Sequence, residues 1–265
     1  MYIDSPALEL AGLRPGAAVT REVNAQEFRL TWRVDALGAR KVSRKQRGAH
    51  VVPVLDINSA QDLAVFEGCA AVRIVILADA VHILLPASAA KALARMARLT
   101  SKLATGQALT TASLAFGAGI ASKALHDGLE DAGVKTQLAL ANELCEDYTE
   151  LAVRNNAVVT AATAVAAVPM QELAIDDWLL QRVGSVDILE AGIPCSGASK
   201  AGRAKRKLTK MEDHPLVGHL IGAALQVIAR LQPALVLIEN VESYRHTASA
   251  AILRGWLRDA GYAIA

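Results

Sequence analysis

The first 86 residues break short β-branched runs with polar and small residues. Positions 29–34, 51–57, 72–77 and 81–85 read as strands, and the last two flank Ala78-Asp79-Ala80 as a hairpin. From 87 to about 104 the period changes to that of a helix. Leu93, Met96, Ala97 and Leu99 fall near one face, with Lys91, Arg95 and Arg98 on others, and Thr105-Gly106 ends it. Beyond this point strands and helices alternate. A strand at 112–116 meets a tight turn, Gly117-Ala118-Gly119, and a helix then runs from near Ser122 to Asp131, closed by Gly133. A strand at 137–142 ends at Glu143, a helix follows at 146–155, and an Ala/Val run at 158–168 supplies the third strand. After a short helix or loop at 175–183 come a strand at 186–191, an amphipathic helix at 217–231 with Pro233 behind it, a strand at 235–241, and a last helix at 248–260 before Gly261. This order predicts a β-rich domain with a helical linker over 1–105 and an α/β domain over 106–265.

An apolar fraction of 53% suffices for packed cores. No uncharged apolar run is long enough to span a bilayer, since 173–189 is interrupted by Asp176, Asp177 and Arg182. The amino terminus lacks the charged-then-apolar pattern of a signal peptide, so a cytoplasmic protein without membrane contact is expected. Cys69, Cys145 and Cys195 show no CxxC spacing, which argues against a disulfide framework or a zinc site. A net charge of +2 carries no message about polyanions, but two local clusters do. Residues 40–47 hold five cations in eight positions and read as a solvated loop or a phosphate-contacting arm; residues 200–210 hold six in eleven and read as a mobile cationic loop.

Two strand ends carry candidate chemistry. The run 186–191 leads into Gly192-Ile193-Pro194-Cys195-Ser196, and 235–238 leads into Glu239-Asn240-Val241. Open α/β sheets bind ligands at the carboxyl ends of their strands, so a thiol nucleophile and a proton donor are expected to face one pocket. The Gly117-Ala118-Gly119 turn lets backbone approach a ligand, and an acid such as Glu143 at the end of the next strand can hold ribose hydroxyls. A dinucleotide site would share this layout, but the third glycine of GxGxxG is lacking.

Together, Gly-Ile-Pro-Cys-Ser (192–196) and Glu-Asn-Val (239–241), with Phe116-Gly117-Ala118-Gly119, resemble the C5 cytosine DNA methyltransferase family over roughly 109–262. The resemblance implies a Rossmann-like S-adenosylmethionine-dependent fold with Cys195 as nucleophile and Glu239 as the partner of cytosine N3. It implies cofactor contacts from Phe116, Gly117, Gly119, Glu143, Leu144 and Pro194, with Leu144 standing where the family usually has tryptophan. No aspartate aligns near 168–172 for the adenine amino group. Pro194, Ser196, Asn240, Lys200, Arg203, Lys205 and Arg206 would meet double-stranded DNA carrying a flipped cytosine. Burial of Glu239 is expected, so that it meets N3 as an acid. Cys69 and Cys145 are expected to be inert. His214, His219 and His246 match no thiol-hydrolase pattern and are expected at the surface or internally satisfied. The family's later motifs have no counterpart before Ala265, which implies a protein partner or a further carboxyl-terminal region. The same chemistry on RNA, and a non-catalytic binding fragment, are the alternatives.

Overall fold

A computed structural model describes residues 1–194 and 199–265. The chain forms two compact units, Met1–Ala90 and Lys91–Ala265. In the first, β1 (Tyr2–Asp4), β2 (Ala18–Asn24), β3 (Arg29–Val34), β4 (Arg40–Lys41), β5 (Ser43–Arg47), β6 (His50–Asp56), β7 (Arg73–Ile76) and β8 (Val81–Leu84) are joined by short turns and the single-turn helix α1 (Ala60–Leu63). They build two antiparallel sheets, ordered β1-β6-β5 and β4-β2-β3-β8-β7. Leu8, Leu13, Leu30, Trp32, Leu55, Ile57 and Ile83 form their shared core. The expected β7–β8 hairpin is present, with Ile76 opposite Val81. The cationic stretch 40–47 corrects the loop reading: it supplies β4 and β5, because pairing of β4 with β2 and of β5 with β6 holds an extended chain whatever its side chains.

Helix α2 (Ala87–Thr105) begins in the first unit and continues in the second. Its buried residues are Arg95 and Leu99, while Leu93 and Met96, on the face that reads as apolar, are exposed. The reason lies far along the chain. Arg95 donates to Gln232 Oε1 and to the Ala260 carbonyl, both at 3.0 Å, and stacks on the Tyr262 ring. Arg98 donates to the carbonyls of Val186 and Gln232, each at 2.6 Å. Gln232, Ala260 and Gly261 lie at helix ends, where unpaired carbonyls and the helix dipole favour cations.

The second unit carries β9 (Leu109–Leu114), α3 (Ile120–Asp131), β10 (Thr136–Asn142), α4 (Glu146–Asn155), β11 (Ala164–Ala166), α5 (Met170–Ile175), α6 (Asp177–Val183), β12 (Ile188–Gly192), α7 (Lys200–Arg206), α8 (Leu220–Leu231), β13 (Leu235–Glu239) and α9 (Ala248–Asp259). The strands form one sheet, ordered β11-β10-β9-β12-β13, whose pairings are all parallel. The chain winds outward from β9 to β11 and then returns to β12, so the switch point lies between β9 and β12, where such sheets open a crevice. Alternation along β9 and β12 sends Ala112, Leu114, Leu189 and Ala191 into a core with Leu220, Ala224, Val227 and Ile228 of α8.

The opposite face is polar. The buried residues of α3 are Ser122 and His126. His126 bridges Thr111 and Thr136 through its two ring nitrogens, at 2.8 and 2.9 Å. Burial holds its pKa below the ordinary imidazole value and so keeps it neutral. Glu190 Oε2 accepts from Ser113 at 2.7 Å and from Ser122 at 2.9 Å. At the amino-terminal end of β12, the fully buried Asp187 accepts from Arg98 Nε (3.0 Å), Lys102 Nζ (2.6 Å) and both the backbone and hydroxyl of Thr110 (2.8 and 3.0 Å).

Among the described residues, no helix is long and apolar enough to cross a membrane.

Candidate active site

The turn after β9 is built on three left-handed residues within five positions. Gly117 (φ 57°) and Gly119 (φ 76°) supply two of them at no steric cost. A Cβ on Gly117 would meet nothing, so the backbone there is open to a ligand; one on Gly119 would collide with the Phe116 ring and the Asn156 amide. The third is Ala115, a non-glycine residue at φ 53°. Asn156, just after α4, braces the turn by donating to the Ala118 and Gly119 carbonyls at 3.1 and 2.8 Å. Phe116 points into a small core with Leu138, Ala141 and Ala152.

Glu143, half-buried at the end of β10, clamps this turn. Its Oε2 accepts from Gly117 N at 2.7 Å and its Oε1 from Cys145 N at 2.9 Å. Each oxygen keeps a lone pair free, so the carboxylate can also receive hydroxyl donors. Leu144 beside it is exposed and offers an apolar surface. The open Gly117 backbone, the Glu143 carboxylate and the Leu144 side chain fit a nucleoside whose ribose hydroxyls meet the acid.

The second half of the site lies across the switch point. Gly192 pairs directly with Glu239 in the β12–β13 register. Asn240 Nδ2 donates to the Ile193 carbonyl at 2.8 Å and its Oδ1 accepts from Val241 N at 2.9 Å, which ties the two strand ends together. Pro194 follows, half-buried. Cys195 and Ser196 lie outside the described residues. The cationic stretch expected as a mobile loop is, over 200–206, helix α7, which carries Lys200, Arg203, Lys205 and Arg206; the last two are exposed. Ala, Lys and Arg all favour helix, which explains the difference.

Glu239 itself is exposed, so the burial expected for it is not provided by the described residues. The three histidines behave as structural groups. His214 is buried and its Nδ1 accepts from Leu216 N; His219 meets Gln171, and His246 accepts from Arg245. A groove of about 900 Å³ runs along the outer side of β13, lined by Leu235, Leu237, Leu253, Tyr262 and Ile264 among others.

Sequence reasoning did not single out Glu190, Asp187 or Asn156. For the first two a signal existed, since each interrupts an otherwise apolar buried-type strand, and a carboxylate in such a place must be paired. Nothing local marks Asn156.

Among solved structures, the S. pombe Dnmt2 methyltransferase matches with 19% identity and a TM-score of 0.39, over 58% of this chain and 41% of that one. The ribosomal protein L11 methylase from Lactobacillus delbrueckii subsp. bulgaricus matches with 16% identity and a TM-score of 0.34, over 65% and 68%. A SAM-dependent methyltransferase from Agrobacterium tumefaciens matches with 14% identity and a TM-score of 0.36, over 63% and 50%. The chain thus spans about two-fifths of the length of the Dnmt2 structure. No curated protein matches it. The model of the C-5 cytosine-specific DNA methylases covers residues 113–264, more than half of the sequence, and the chain belongs to that family of S-adenosylmethionine-dependent methyltransferases.

Proposed function

We propose that this chain methylates C5 of cytosine in double-stranded DNA, with Cys195 as nucleophile and Glu239 as the partner of the base. The observation that carries the reading is the Gly192–Glu239 pairing, reinforced by the Asn240–Ile193 bond. It sets Glu239 beside the segment leading into Cys195, on the sheet edge that also carries the Gly117 turn and Glu143.

The chemistry follows from cytosine. C5 is not nucleophilic until a group adds at C6, and a thiolate is the side chain suited to that addition. As the Cys195 sulfur bonds to C6, charge moves towards N3, where a protonated Glu239 meets it. S-adenosylmethionine supplies an electrophilic methyl group from its sulfonium. Once C5 carries the methyl group, loss of its proton to solvent, return of the N3 proton to Glu239 and expulsion of the thiolate restore the ring and free Cys195. Because Glu239 is exposed, the incoming base must itself displace water from the carboxyl group. Phe116, Gly117, Gly119, Glu143, Leu144 and Pro194 are the proposed cofactor contacts. Pro194, Ser196, Asn240 and the cations Lys200, Arg203, Lys205 and Arg206 are the proposed DNA contacts. Attack on the ring face requires the cytosine to leave the stack.

The exposure of Glu239 favours a second reading, a binding fragment completed by a partner or a further region. A covalent trap separates the two. The chain is mixed with S-adenosylmethionine and duplex DNA bearing 5-fluorocytosine, with a parallel RNA arm, and adducts are sought by mass spectrometry. The expected result is an adduct at Cys195 on DNA, abolished by Cys195→Ala. Turnover by Cys195→Ala would overturn the mechanism, and an RNA-only adduct would reassign the substrate.

A further inference from the structure

The cationic stretch in the first unit is not absorbed by the methyl-transfer site. The strands β5 and β6 form a hairpin through the two-residue turn Gly48-Ala49, with Gly48 at φ 57° and Gln46 Nε2 bracing the Gly48 carbonyl at 2.8 Å. All five residues of β5 are exposed, whereas β6 buries Val52, Val54 and Leu55. The residues opposite Arg44, Lys45 and Gln46 are Pro53, Val52 and Val51, and Arg47 faces His50. None is an acid, and none occurs anywhere between Asp35 and Asp56.

One carboxylate reaches this surface from outside. Asp4 pairs with Lys45 at 2.7 Å and with Arg47 at 3.0 Å, and the Lys45 bond holds its pKa below the usual carboxylate range. One anion shared by two cations aligns them without neutralising both. Alternation puts Lys45 and Arg47 on one face and Arg44 on the other. Among the described residues, no ion pair engages Arg44, and the single acid Asp4 answers both Lys45 and Arg47. Uncompensated like charges along one strand cost stability, and a solubilising surface would mix signs. A row of aligned cations two residues apart instead suits successive phosphates along a backbone.

We infer that the β5–β6 hairpin is a phosphate-binding arm that holds a nucleic-acid backbone without reading its sequence. The inference shares the nucleic-acid substrate of the proposed function but does not depend on methyl transfer. It is tested on the full chain by fluorescence anisotropy with a labelled DNA duplex and a labelled RNA across a salt series. The double variant Arg44→Ser/Arg47→Ser removes two cations of the hairpin and leaves the Asp4–Lys45 pair intact, and a thermal melt checks its fold. Loss of two phosphate contacts should flatten the log–log salt slope by about 1.8 and weaken binding roughly tenfold or more at low salt. Arg44→Lys, which keeps the charge, should retain the wild-type slope. Unchanged affinity and slope in the folded double variant would overturn the inference. So would hairpin-dependent capture of polyglutamate equal to that of DNA, which would assign the arm to acidic proteins. The 5-fluorocytosine trap separates the two readings: adduct formation with binding indifferent to the hairpin would sink the arm alone, and hairpin-dependent binding without an adduct would sink methyl transfer alone.

Discussion

Replacing Asp187 by alanine removes the one carboxylate that meets both Arg98 and Lys102. Asp187 is fully buried, and its two oxygens accept four hydrogen bonds, two of them from cations. Removing one partner of a buried ion pair costs about 3–5 kcal/mol, because the remaining charge is left without compensation. The side chains of Arg98 and Lys102 stay 23% and 19% exposed, so water recovers part of that loss and the lower end applies. A cost of about 3 kcal/mol, with a urea m-value near 2 kcal/mol/M, lowers the unfolding midpoint by about 1.5 M. Tryptophan fluorescence during urea titration reads it, since Trp178 and Trp256 belong to this unit. Burial pushes the Asp187 carboxyl up, but the bonds from Lys102, Thr110 and Arg98 outweigh it, and the net pKa is lowered. A lowered folded pKa contributes stability that is complete above the unfolded value and is lost as pH falls through the folded one. The gap between wild type and variant should therefore be full at neutral pH and close below about pH 4. A midpoint shift under about 0.5 M at pH 7, or a gap that persists in acid, would refute the reasoning.

The glycine turn gives a paired contrast: Gly119→Ala, which meets both a steric clash and a positive φ, should lower the melting temperature and abolish cofactor binding by calorimetry, whereas Gly117→Ala faces only the φ cost of about 1 kcal/mol. Glu143→Gln leaves one of the Gly117 and Cys145 N–H groups facing an amide donor, so S-adenosylhomocysteine should bind about tenfold more weakly with little change in melting temperature. The Tyr244 hydroxyl is buried without a hydrogen-bond partner among the described residues, and burial, with Glu212 nearby, pushes its pKa up to about 12. Tyr244→Phe should therefore stabilise the fold by about 1 kcal/mol in chemical denaturation, and a loss of that size would show that the hydroxyl is bonded.

The alternation of strand and helix after Gly106 was legible because β12, β13 and α8 are apolar runs bounded by glycine and proline, and the strand-end motifs were legible because they sit where those runs stop. The inward face of α2 was not, since the partners of Arg95 and Arg98 lie around Gln232, Ala260 and Asp187, far along the chain. Nor was β5, whose extended form comes from pairing with β6 and not from its side chains. The central strand β9 reads Leu-Thr-Thr-Ala-Ser-Leu, a pattern that suggests one wet face, yet both faces are covered because His126 and Glu190 answer its polar residues. The acid environment expected of Glu239 was not legible either, because exposure depends on what adjoins β13.

The polar seat of α3 bears on how steady the glycine turn can be. An interface of aliphatic side chains tolerates sliding and small rotations, whereas the threonine–imidazole–threonine bridge and the two serines on Glu190 close only at one azimuth of the helix. Turning α3 by a single residue would swing both sets about 100° out of reach. Helix α3 is thus keyed into the sheet, and since it starts at Ile120, directly after Gly119, the key also indexes the turn. Because such contacts bury polar surface, their heat-capacity signature opposes that of apolar packing, and the setting should hold on cooling, when hydrophobic association weakens.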